Sequence, residues 1–441
     1  MNNLFQKKFT HILSATILFS LLLVLWLLLN YFDTDTSISQ ISEHCTVPYP
    51  GKPLVRYAIM IDAGSSGSRI HIYKFNYCKE MPELENEIFH AIEPGLSAYR
   101  DDPLAGAGSF DRLLQLAIEH VPKELQKCTP IAVKATAGLR LLGQEASERL
   151  LDAVREKLET MPFPIHAVEV MDAKEEGVFA WMTVNYLSGS LGGSTVAVFD
   201  LGGASTQVVF EPTGRMAPGD HVYELEIGKA KYTLYQHSYL GFGLNEARKR
   251  IKSFVTELWK ESHSVYDHPC LPENYTETAG ELQLVGTGAG HAPCRGLIER
   301  VFEKDKRCVR QPCAFDGIYQ PSLTESFPDR DLYIFSYFYD LTQPLGMPPE
   351  FSVRELGELA NRVCEQDLEA FKHISGAVQL IKGTPNYCLD LTYMHALLRI
   401  GYEVPPHRRI RTAKKIQGAE TGWCLGASIV MINDARLKCK Y

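Results

Sequence analysis

Two stretches of the sequence each carry an aspartate into a turn of small residues. In the first, the apolar run Tyr57-Ala-Ile-Met-Ile61 ends at Asp62, turns through Ala63, Gly64, Ser65, Ser66 and Gly67, and resumes with Ile70, Ile72 and Phe75. In the second, Val196-Ala-Val-Phe199 ends at Asp200, turns through Gly202, Gly203, Ala204 and Ser205, and resumes with Gln207-Val-Val-Phe210. A strand that delivers a carboxylate into such a turn is built to meet a phosphate. Glycines let backbone N–H groups approach closely, hydroxyls add donors, and the aspartate can hold a divalent cation. A hairpin turn accounts for either stretch taken singly. Two such turns facing each other make a nucleotide cleft.

Hydrolysis of a phosphoanhydride needs donors around the phosphates, a cation to offset their charge, and a base for water. Carboxylates repel phosphate oxygens unless a metal lies between them. Asp62 and Asp200, one per turn, are the candidates for holding it, in part through water as Mg²⁺ prefers. Glu176 follows an expected strand at the turn onto a helix, with Asp172 and Glu175 beside it. Crowded carboxylates raise one another's proton affinity and a metal counters that, so one of them can be tuned as a general base. A solvated helix N-terminus, where acids are favoured anyway, is the structural alternative.

These groups need rigid elements. Residues 57–75 read as strand, turn and strand, and 131–135 as a strand running into Thr136-Ala-Gly138. Residues 144–161 read as helix, 165–170 as strand and 178–187 as helix; strands alternating with helices imply a mixed or parallel sheet. A helix is expected over 109–125 with Ser109 as N-cap, and residues 80–102 as loop with one strand near 88–92. The Gly/Ser linker after Leu187 puts a boundary near residue 188. Beyond it, strands are expected over 223–235, 282–285, 331–341 and 378–380. Helices are expected over 243–260, 353–371, 391–398 and 428–438, with a cysteine-stapled, loop-rich segment over 262–330. The organisation is then a first α/β domain over 53–187 and a second over 188–424, with a final helix at about 425–441 packing back on the first.

The chain has 441 residues, a net charge of −8 and 22% charged residues, with no long basic run. A nucleic-acid partner is excluded on that balance. Residues 12–32 carry no charge and are long enough to span a bilayer. Lys7 and Lys8 precede them and Asp33 and Asp35 follow, which places a tail of residues 1–11 in the cytosol and everything beyond the span across the membrane. No small-x-small cleavage site closes the span, so it reads as an uncleaved signal anchor, followed by a stem over 33–52. The eleven cysteines suit disulfides in an oxidising lumen. Zinc is the alternative for Cys308 and Cys313, though no second CxxC or His pair lies nearby. Asn274-Tyr-Thr276 is a glycosylation sequon, usable only in the lumen.

Five stretches occur in order: Ile61-Asp-Ala-Gly-Ser-Ser-Gly-Ser-Arg69, Lys134-Ala-Thr-Ala-Gly-Leu-Arg140, Glu175-Glu-Gly-Val-Phe-Ala-Trp181, Asp200-Leu-Gly-Gly-Ala-Ser-Thr-Gln207 and Glu420-Thr-Gly-Trp-Cys-Leu-Gly-Ala427. They resemble the five motif regions of the nucleoside triphosphate diphosphohydrolase (apyrase) family, and the resemblance covers residues 55 to 435. The first two motifs are most similar to those of its fungal Golgi guanosine diphosphatase branch; at Gly67 the two-span ectoenzymes commonly carry His or Thr.

The resemblance implies an actin-like fold of two ribonuclease-H-like α/β domains with the active site between them. It implies Glu176 as the base that activates water for in-line attack on the terminal phosphorus, and Ser65, Ser66, Gly67, Gly202, Gly203, Ala204 and Ser205 around the phosphates. Asp62 and Asp200 would order the water of a divalent cation (Ca²⁺, Mg²⁺ or Mn²⁺), Thr136 and Gln207 would position water, and Trp423 would close the cleft. Tyr339 and Tyr387 would flank the base, with Asp340 at a position where the ectoenzymes carry a stacking residue. Pairings Cys270–Cys294, Cys308–Cys313 and Cys364–Cys388 follow by the same resemblance, leaving Cys45, Cys78, Cys128 and Cys439 unassigned and Cys424 a buried thiol. The implied activity is hydrolysis of GDP, and of UDP, to nucleoside monophosphate and phosphate in the Golgi lumen, with the endoplasmic reticulum as the alternative compartment. It would clear the by-product of sugar transfer and supply monophosphate for nucleotide-sugar exchange. A broader apyrase, an exopolyphosphatase-like phosphatase and a non-catalytic nucleotide-binding module are the competing readings.

Overall fold

The computed structural model describes residues 41–258 and 265–434, with Leu23 and Trp26 besides. The expected cytosolic tail, nearly all of the expected span, the start of the stem and the last residues of the chain lie outside the described residues. Among the described residues no helix is long and apolar enough to cross a membrane.

The fold is α/β, built on two mixed sheets with the same central plan. The first contains β1 (Val55–Ala63), β2 (Ser68–Asn76), β3 (Glu83–Ile92), β4 (Ile131–Ala135) and β5 (Ile165–Val170), in the order β3-β2-β1-β4-β5. β1 runs antiparallel to β2 and parallel to β4. The second is built around β6 (Ala197–Leu201), β7 (Ser205–Phe210), β8 (Val222–Ile227) and β9 (Ala230–Leu240). β6 is antiparallel to β7 and parallel to the strand Leu332–Ser336, which is itself parallel to Arg409–Thr412. The order β9-β7-β6 and then these two strands repeats that of the first sheet, with β8 and Glu350–Ser352 added at the edges.

Period-two alternation explains why the central strands read as continuous apolar runs. In β1, Ile59 and Ile61 enter one core while Ala58 and Met60 enter another on the opposite face. In β6, Phe199 and Leu201 enter the core of the second lobe, and Val198 enters the same middle core as Met60. That middle layer is filled by the helices Ala173–Leu187 and Cys424–Asn433, both apolar nearly all round and therefore buried. The first packs on β6, β7 and β9, the second on β1 and β2, and the two pack on each other. Two glycines allow this closeness. A Cβ at Gly177 would stand 2.8 Å from Val209 Cγ2, and one at Gly426 only 2.3 Å from the carbonyl oxygen of Phe179.

Several local expectations are corrected. The segment 331–341 is extended only over Leu332–Ser336; Ser336 adopts φ 58°, ending the run, and Tyr337–Thr342 is helical. Val378 to Leu380 lie inside the helix Ala377–Gly383, because an apolar run this short carries no decisive period. Ser109 does not cap the helix Asp111–His120; its hydroxyl donates to the Gly106 carbonyl, 2.7 Å, at the end of the separate turn of helix Pro103–Gly108. The helix begun at Val353 stops at Cys364, and the last helix starts earlier than expected, at Cys424. β3 is a ten-residue strand where mostly loop was expected; it is the edge of the sheet, and the buried side chains of its Glu85 and Glu87 pair with Lys74 and His71 of β2.

The disulfides Cys270–Cys294, Cys308–Cys313 and Cys364–Cys388 form as the resemblance implies. Cys45 and Cys78, left unassigned from the sequence, are bonded to each other, and Cys128 is disulfide-bonded as well. Cys424 is a free, buried thiol. Asn274 is exposed in the turn before the strand Thr276–Ala279.

Candidate active site

The turns after β1 and β6 hold the same hydrogen bond. Gly64 N–H donates to the Gly67 carbonyl and Gly202 N–H to the Ser205 carbonyl, each over 3.0 Å. Both turns are therefore hairpins, and both open onto one cleft of about 380 Å³; the hairpin and the phosphate turn are the same object. The turns nearly touch: a Cβ at Gly203 would stand 2.6 Å from Ser65 Oγ and 2.9 Å from Asn245 Nδ2. Gly138, at the start of the helix after β4, packs as tightly on the first turn, since a Cβ there would stand 2.8 Å from Ser65 Cα.

Asp62, Ser65, Ser66, Thr136, Glu176, Asp200, Gly202, Gly203, Tyr339 and Trp423 all line this cleft. The remaining sequence-derived positions stand behind it. Ser205 and Gln207 are buried, with Gln207 Nε2 donating to Ser205 Oγ over 2.7 Å and to Ser238 Oγ over 3.0 Å, a brace beneath the turn. Gly67 is fixed by packing, since a Cβ there would lie 2.8 Å from the Ile92 carbonyl oxygen of β3; Ala204 is buried too. Tyr387 is not brought to the cleft. It is 2% exposed in the core of the second lobe and its hydroxyl donates to the Leu341 carbonyl, 3.0 Å.

Glu176 is 7% exposed in the first turn of the helix Ala173–Leu187, which Asp172 caps by accepting from Lys174 N–H over 2.9 Å. It is thus not a solvated acid at a helix end. Arg140 Nη2 donates to Glu176 Oε2 over 2.6 Å, and its Nη1 donates to the Met171 carbonyl over 3.1 Å. Burial raises the Glu176 pKa, the Arg140 charge and hydrogen bond pull it back, and Asp62 adds to the rise. Asp200 is pushed up to about 7 by burial, against a Ser336 hydrogen bond, with Glu176 and Asp62 adding repulsion. Asp62 is raised by burial and opposed by Arg69, which lies 3.3 Å away.

These three carboxylates share the cleft, which Glu93, Asp340 and Glu420 also line, and Asp62 Oδ1 and Asp200 Oδ1 are buried with no hydrogen-bond partner. Two orphaned acidic oxygens facing a cleft fit a hard, oxygen-seeking cation. No set of three or more His, Cys, Asp or Glu groups among the described residues has metal-binding geometry. The pair therefore suits a cation that keeps water or phosphate oxygens as its other ligands, rather than an all-protein cage.

Arg69, Arg140 and Ser336 were not singled out from the sequence. The two arginines end quoted motifs, where a cation beside an expected carboxylate was the available signal. Ser336 had none, because its left-handed backbone, a strained conformation of a kind that gathers at functional sites, is set by tertiary packing.

Residues 52–441 match the model of the GDA1/CD39 (nucleoside phosphatase) family. The chain belongs to that family. Among its GDA1/CD39 relatives, the guanosine-diphosphatase of Schizosaccharomyces pombe is 46% identical over 91% of this chain and 78% of its own. That of Saccharomyces cerevisiae is 43% identical over 93% and 86%. The human nucleoside diphosphate phosphatase ENTPD5 is 34% identical over 89% and 91%. Among solved structures, a nucleoside triphosphate hydrolase from Neospora caninum shares the fold, with a TM-score of 0.58 at 14% identity over 86% of this chain and 93% of that one.

Proposed function

We propose that the chain hydrolyses nucleoside diphosphates, with GDP and UDP foremost, to the monophosphate and phosphate. The observation that carries this is the meeting, in one cleft, of two glycine turns, two orphaned aspartate oxygens and a buried glutamate held by Arg140. The relatives named guanosine-diphosphatase supply the substrate class.

In this reading the sheets are two ribonuclease-H-like domains of an actin-like fold. The backbone of both turns, with Ser65 and Ser66, surrounds the phosphates. Asp62 and Asp200 hold a divalent cation (Ca²⁺, Mg²⁺ or Mn²⁺), which supplies charge neutralisation to the phosphates. Glu176, kept ionised by Arg140 yet raised by burial, takes the proton from an attacking water positioned by Thr136, while Gln207 braces the second turn from behind. Tyr339 offers a face to the base, and Trp423 shields the cleft from water. Residues 12–32 anchor the protein as a single-pass membrane protein of the Golgi, with the catalytic lobes luminal and Asn274 glycosylated.

Phosphate release from GDP, UDP, ADP, GTP and ATP, with each cation and with chelator, tests this. Release should be fastest from GDP or UDP and should vanish in chelator. Nucleotide binding without release from any of them would make the chain a binding module instead.

A further inference from the structure

A second cavity, of about 460 Å³, lies in the second lobe, away from the cleft. It opens between the helices His291–Glu299 and Val353–Cys364 and the end of Tyr387–Ala396 with the turn that follows. Arg295, Arg354, Arg362 and Arg399 line it with His291 and His395, against one lining carboxylate, Glu358. Arg295 is neutralised by Glu299 at 2.6 Å. Among the described residues the other three arginines form no ion pair, whereas Arg140, Arg248, Arg409 and Arg411 each have a carboxylate partner within 4 Å.

The two imidazoles add unpartnered ring nitrogens rather than charge. Their ring centroids lie 6.4 Å apart, and His291 Nε2 and His395 Nδ1 are buried without a hydrogen-bond partner. Gly357 makes room for one of them, since a Cβ there would stand 2.8 Å from His395 Nε2. Burial first, then the charges of Arg295, His291 and Arg399, press the His395 pKa down to about 4. His291 is lowered by burial and Arg295, with Glu365 opposing; that carboxylate also accepts from the His291 backbone N–H, 3.2 Å. Guanidinium groups without carboxylate partners, gathered around one hollow with two unpartnered imidazole nitrogens, offer a multivalent acceptor hydrogen bonds that no neighbouring side chain takes up.

We propose that this cavity binds the phosphate of a small soluble phosphomonoester. Guanidinium forks match phosphate oxygens in pairs, so Arg354, Arg362 and Arg399 hold the charge and the two histidines donate to the remaining oxygens. The volume falls within the roughly 300–1,000 Å³ of small-molecule pockets, which leaves space for the organic part of the ester.

Equilibrium dialysis of the full-length chain in detergent, against radiolabelled inorganic phosphate and then glucose 6-phosphate, tests this. Wild type is compared with Arg362→Glu/Arg399→Glu and with the exposed single change Arg354→Glu, which leaves packing intact. In chelator, which removes cation-dependent phosphate binding at the cleft, one saturable site should weaken by at least about tenfold in the double variant and about threefold in the single one. Hydrolysis at the cleft should stay within about twofold of wild type in both. Equal stoichiometry and affinity in all three chains would overturn the assignment. Competition in the same dialysis by mixed micelles carrying phosphatidic acid separates the two sources of a phosphomonoester. Bound glucose 6-phosphate displaced no more by those micelles than by phosphatidylcholine micelles supports a soluble ligand; displacement by phosphatidic acid at a lower concentration than unlabelled glucose 6-phosphate needs gives the cavity to a lipid headgroup and overturns the soluble one. Bound ligand is counted rather than turnover, so failure here leaves the hydrolytic reading intact.

Discussion

Arg140 Nη2 and Glu176 Oε2 lie 2.6 Å apart, joining the motif after β4 to the one that opens the helix Ala173–Leu187. The guanidinium is the main influence keeping a buried carboxyl ionised; burial and Asp62 both act against it. Replacing Arg140 by Met therefore leaves only the influences that raise the Glu176 pKa. The acid limb of the kcat/KM–pH profile should move to higher pH, and the rate near neutrality should fall by roughly ten- to a hundredfold. An unmoved acid limb would show that the pair serves structure alone.

Glu176→Gln keeps the size of the side chain and an oxygen that can accept from Arg140, but removes the base. Phosphate release should fall by about 10²–10⁴-fold, while the thermal midpoint stays near that of wild type. Retained activity would exclude Glu176 as the base.

A methyl group at Gly203 would stand 2.6 Å from Ser65 Oγ and 2.9 Å from Asn245 Nδ2. Gly203→Ala should displace those two side-chain ends and, by moving the Ser65 hydroxyl off the phosphates, raise the KM for nucleotide by about tenfold. The matched control is Gly296→Ala in the helix His291–Glu299, where a Cβ meets nothing within 4 Å. It should leave kinetics unchanged and stabilise by about 0.4–1 kcal/mol in denaturant unfolding.

Asp200 links cation binding to pH. Its folded pKa of about 7 lies above the ordinary 3.8, so between those values the folded state binds more protons than the unfolded one. Stability of the cation-free protein therefore falls as pH rises through that window. A cation on Asp62 and Asp200 offsets the repulsion between ionised carboxylates but must displace a proton at lower pH. Adding Mg²⁺ or Ca²⁺ to chelator-treated protein should raise the thermal midpoint more at about pH 7.5 than at about pH 5. An equal rise at both would disconnect the cation from Asp200.

The two tyrosines proposed to flank the base should separate. Tyr387→Phe removes a hydroxyl that donates to the Leu341 carbonyl within the core, so it should cost about 1 kcal/mol of stability and leave KM unchanged. Tyr339→Ala, on the cleft wall, should raise KM with little change in stability. The reverse pattern would return Tyr387 to the nucleotide.

The local chemistry was legible in the order of residues alone. Turns of the Asp-x-Gly kind after apolar strands, an acid at the start of a helix and the ordered motifs are local features, and Asp62, Ser65, Glu176, Asp200 and Gly203 meet in one cleft as those features suggest. Three disulfide pairings were legible through the resemblance, but Cys45–Cys78 was not, since spacing carries no information on which loops meet. The rest depends on which face packs against which, and that was not legible. Tyr387 and Tyr339 both read as aromatic candidates; packing buries one and turns the other to the cleft, because Ser336 ends its strand in a left-handed conformation. Arg140 reaches Glu176 only because β4 and β5 are neighbours in the sheet and each leads into the helix carrying one of them. The basic cavity draws its residues from three helical segments between His291 and Arg399, a juxtaposition that no periodicity or motif spacing encodes.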